Sequence, residues 1–168
     1  MTKVVLIILV AALIIAPFVG WGVCIAKGIQ FDAACGDYLK LAADANTIDV
    51  AEKHLTTAIE YLESNDLTSG YTKIFIYKPA NDIGLWYENL KTAQNQLQNM
   101  QQTEYTELEE SNMLMKLRET LLNEGGGLTH PMGISMSENF ALMFWLNVLL
   151  WLPCWFIAGF IGFELDYI

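Results

Sequence analysis

The sequence predicts an all-α membrane protein: two transmembrane helices flanking a long helical hairpin, a coiled-coil-like stalk with a short extended tip segment. Three observations predict it. Two uncharged, apolar runs, residues 4–26 and 140–163, stand near opposite ends of a 168-residue chain that is 54% hydrophobic. The charge lies between them, with 17 acidic and 8 basic side chains in residues 27–138 out of a formal net charge of −10. Within that middle, stretches with apolar residues at helical spacing are divided by a β-branched and aromatic segment.

The first run is long enough, at ~1.5 Å per residue, to cross a hydrocarbon core of ~30 Å. A cleaved signal peptide starting at Lys3 competes with this reading, but the apolar stretch continues past Pro17 instead of ending after a short core. Residues 1–27 are therefore read as an uncleaved signal anchor. The second run contains Asn147 as its strongly polar side chain and precedes a short acidic tail, so residues 139–168 read as a second span. Asn147 lies at the depth of Pro17, near Gly20; an amide in hydrocarbon seeks a partner and a glycine lets helices approach, so these three are expected to pack the spans together. Lys3 at the start favours cytoplasmic termini, an extracytoplasmic hairpin and an integral location in a bacterial inner membrane. An intrachain disulfide between Cys24 and Cys154 is excluded by their different depths, and Cys35 reads as a small buried residue.

Residues 28–124 form the hairpin domain. Asp37 to Ala45 contains good helix formers. Asn46 or Thr47 restarts the helix as an N-cap, and Ala51, Leu55, Ala58 and Leu62 make a stripe that ends near Ser64. Gly70 then breaks the pattern, and residues 71–77 read as an extended tip closed by Pro79. Asn81 or Asp82 caps a long helix towards Leu122. Its heptads place Ile83, Leu90 and Leu97 at a and Trp86, Ala93 and Met100 at d. Glu104 and Glu107 fall on the next a and d, so the seam fails there and an apolar stripe returns out of register at Leu108, Leu114, Leu117 and Leu121. Gly125, Gly126 and Gly127 end the helix. They open residues 125–138, a Gly-rich interfacial linker whose alternating Met132, Ile134 and Met136 suggest a segment lying along a membrane surface.

Chemistry is sparse. His54 and His130 lack a second ligand at helical spacing, and no zinc, di-iron or calcium-loop pattern is complete. The three glycines follow a helix and lack the lysine ending of a phosphate loop. Nucleic-acid binding is excluded by acidity and scattered basic residues. The sequence thus predicts a non-enzymatic, cofactor-free two-pass membrane scaffold or accessory subunit whose hairpin mediates protein–protein assembly. Ile83, Trp86, Leu90, Leu97 and Met100 are its expected interaction residues. The expected partners are the lipid membrane and either further copies or other membrane-protein subunits. A sensor-like ligand-binding module signalling through a partner and a homo-oligomeric pore subunit are the alternatives.

Overall fold

In a computed structural model, residues 2–73 and 77–136 are described, with residues 145, 148, 149, 151–153 and 156 towards the C-terminus. Among the described residues the helices with defined bounds are, in order, α1 (Thr2–Phe31), α2 (Asp37–Ala43), α3 (Ile48–Ser64), α4 (Ile83–Gln101) and α5 (Glu107–Leu121). A π-helical turn, Asp32–Gly36, joins α1 to α2 without a break in the helical backbone.

The two-span fold requires correction. Among the described residues no helix is long and apolar enough to cross a membrane. The expected second span lies largely outside the described residues. The transmembrane architecture and the integral inner-membrane localisation expected from hydropathy therefore fall.

The helix boundaries follow local chemistry. Thr47, in extended conformation, caps α3 by accepting the Val50 amide proton, and Asp82 caps α4 by accepting that of Leu85. At the tip Tyr71 pairs with Asp82 in an isolated antiparallel bridge and Thr72 lies in a bend, while residues 74–76, the middle of the expected extended segment, lie outside the described residues. The predicted single helix from Asp82 to Leu122 is two helices. α4 ends at Gln101, and α5 opens with a capping box in which Thr106 Oγ1 accepts from Glu109 N while Glu109 Oε2 accepts from Thr106 N at 2.8 Å. The phase break at Glu104 and Glu107 is thus a corner: a capping box inside a sequence ends one helix and starts another. After α5 the chain turns through Gly126, whose φ of +74° suits a residue without Cβ, and the Leu122–Leu128 bridge closes the turn. Residues 134–136 form a 3-10 turn with Ile134 buried and Met132 exposed, in place of the alternating surface segment.

Packing explains the stability of this arrangement. α3 lies between α2 and α4, and α5 folds back onto α2 and reaches α3. Ala51, Leu55, Ala58 and Leu62, the predicted stripe of α3, are all fully buried. They join Phe31, Leu39, Ile48, Ile59, Leu90, Leu97, Leu117 and Leu121 in one core. Alanines at the crossings let the α3 and α4 backbones come close, so short side chains still exclude water.

Candidate interaction surfaces

The heptad seam of α4 faces inward. Ile83, Trp86, Leu90, Ala93 and Leu97 are buried, and Met100 is partly buried against the same core. Trp86 also donates its indole N–H to the Thr129 carbonyl at 2.7 Å, which ties the segment after α5 to the start of α4. The periodicity located the buried residues. The expectation that Trp86, Leu90 and Leu97 await another chain does not hold, because this chain's own α3 and the segments around it fill that role.

A polar ladder, unforeseen in the sequence, runs along the flank of the α3–α4 contact. Gln101 Nε2 donates to Asp49 Oδ1 and Gln98 Nε2 to Glu52 Oε1, each at 2.9 Å. Gln94 Nε2 donates to Thr56 Oγ1 at 2.7 Å, and Thr56 in turn donates to Glu52. Further along, the Tyr87 hydroxyl donates to Glu63 Oε1 at 2.5 Å and Lys91 Nζ lies 3.3 Å from the same oxygen. The Tyr87 and Lys91 hydrogen bonds hold the Glu63 carboxyl below its ordinary range. Burial, reinforced by the bond to Glu63, pushes the Tyr87 hydroxyl up to about 12. The available signal was the recurrence of Gln94, Gln98 and Gln101 beside the heptad positions, matched in antiparallel order by Thr56, Glu52 and Asp49.

Of the residues expected to pack two spans, Gly20 is half-buried on α1, Pro17 lies within the continuous α1 backbone, and Asn147 is outside the described residues. What α1 does present is apolar surface. Phe18, Trp21, Ile25 and Ile29 recur at spacings of three, four and four and are 60, 58, 58 and 65% exposed, with Val19 and Val23 exposed beside them. The helical residues Trp145, Leu149, Leu152 and Phe156 show the same property at spacings of four, three and four. The ring of Phe18 meets Trp151 edge-on at 5.2 Å, so the two apolar segments touch.

Among the described residues no group of three His, Cys, Asp or Glu could hold a metal ion. Cys35 is wholly buried, its thiol donates to the Ala58 carbonyl at 3.8 Å, and burial raises its pKa to about 12, far from a reactive thiolate. In the glycine turn, Asn123 Oδ1 already accepts from the Gly125 and Gly127 amides at 3.0 and 2.9 Å, leaving those donors engaged. No family model matches the chain, and no curated protein or solved structure matches it either.

Proposed function

We propose that this protein is a non-enzymatic assembly subunit: a self-contained helical bundle that presents α1 to an apolar helix of another subunit. The observation that carries the reading is the exposed stripe Phe18, Trp21, Ile25 and Ile29. Large apolar side chains at this spacing form a ridge suited to helix packing, and contiguous exposed apolar surface of this kind marks an interaction site. Gly22 and Ala26, small and exposed beside the ridge, leave room for a facing helix, and a Cβ at Gly22 would meet nothing within 4 Å. Full burial of a large side chain contributes about 1.5–3 kcal/mol, so covering the exposed part of these four works against the entropy cost of association. The earlier expectation of assembly is kept, and its surface moves from the α4 seam to α1.

The test is particle size of the full chain in mild detergent, with Phe18→Ser combined with Trp21→Ser and Ile25→Ser as the variant. The expected outcome is loss of the larger species with unchanged far-ultraviolet dichroism and denaturation midpoint. An unchanged size distribution would overturn the proposal. So would a monomeric chain that floats with phosphatidylcholine vesicles through the same residues, because α1 would then cover itself with lipid.

A further inference from the structure

The corner that divides α4 from α5 sets the two helices on different neighbours. α4 packs on α3 while α5 packs on α2, and between the end of one and the start of the other lies an open groove of about 390 Å³. Met100 and Met113, both partly buried, line it, with Tyr105 on the connecting segment 38% exposed. This volume falls at the lower end of those that accept a ligand or an inserted side chain. Methionine linings adapt to side chains of differing shape.

The mouth is acidic on balance. Glu104 and Glu109 line the groove, Glu109 also capping α5, Glu107 three positions beyond Glu104 is exposed, and the whole chain has a net charge of −10. The lining cation, Lys116, has its ammonium 3.2 Å from Gln96 Oε1 on α4. An anionic ligand would meet repulsion here. An apolar lining rimmed by carboxylates complements a cationic, amphipathic chain, and a net negative field steers such a partner inward.

We propose that the groove between α4 and α5 receives a cationic amphipathic segment of a partner protein, an apolar side chain seated on Met100 and Met113 and its Lys or Arg residues facing Glu104 and Glu107. The site is separate from the α1 stripe and does not depend on it.

The probe is a fluorescent leucine–lysine amphipathic peptide, titrated into the full chain in mild detergent at low and physiological salt. Two control peptides replace its leucines by glutamine or its lysines by glutamate. Saturable binding of the parent peptide alone is expected. Lys116→Glu should tighten it and Glu104→Gln with Glu107→Gln should loosen it, about two- to fivefold for each charge changed. Met113→Gln should weaken it about tenfold with unchanged dichroism, and Lys116→Glu keeps the test decisive if that variant folds poorly. The α1 triple variant should bind the peptide as the natural chain does. Absence of binding, equal binding of the glutamine peptide, indifference to Lys116→Glu, or loss of binding in the α1 variant would each overturn the proposal. The last would place the peptide on α1.

Discussion

Tyr87 and Glu63 show how one contact makes the bundle sensitive to pH in two directions. Glu63 titrates below its ordinary range in the folded chain, so the contact's stabilisation is present above the unfolded carboxyl value and is lost as pH falls through the folded one. Tyr87 is raised from 10.0 to about 12, so its contribution is complete below pH 10 and is lost as pH rises towards 12. Replacing Tyr87 by Phe should remove the alkaline loss between those values and return the Glu63 carboxyl towards its ordinary range. Carbon-detected titration of Glu63 and the denaturation midpoint against pH measure both; an unmoved Glu63 titration would mean that Lys91 alone sets it. Neither partner is conspicuous in the sequence, because Glu63 and Tyr87 are 24 positions apart and only the antiparallel crossing of α3 and α4 brings them together. Cys35 was more legible: a lone cysteine among alanines reads as a small buried residue, and it is fully buried.

At the scale of elements, capping chemistry was readable wherever a short polar side chain preceded an amphipathic stretch. Of the two candidates at each helix start, Thr47 caps α3 and Asp82 caps α4. Thr106 with Glu109 is the same kind of signal, yet the heptad count carried the predicted helix straight over it. The capping box lets the break stand where the seam already fails at Glu104, because it satisfies amide groups at the new N-terminus that have lost their i−4 carbonyls. Thr106→Ala should therefore destabilise the bundle by about 1 kcal/mol and raise hydrogen exchange at the Glu109 amide, the donor to Thr106 Oγ1. Unchanged exchange there would show that packing alone holds the corner. The polar ladder escaped notice for a different reason: glutamines beside a heptad resemble ordinary solvated positions until a second helix supplies Asp49, Glu52 and Thr56.

For the whole molecule, the deciding question is which apolar surface closes within the chain and which stays open. Leu90 and Leu97 are 1 and 0% exposed, so Leu90→Asp with Leu97→Asp buries two carboxylates in the core and should cost more than about 4 kcal/mol. Denaturant unfolding should show loss of the cooperative transition. A folded double variant that merely forms smaller complexes would instead return the seam to an intermolecular role. Read alone, the sequence determined the helical class, the stripes of α3 and α4, and the cap positions of both helices to within one residue, because each depends on neighbours within a few residues along the chain. Tertiary structure decided what covers those stripes. Periodicity states that a face is apolar, but the identity of its cover depends on chain path: on the corner at Thr106, on α5 returning to α2, and on Trp86 bonding to Thr129 across 43 positions.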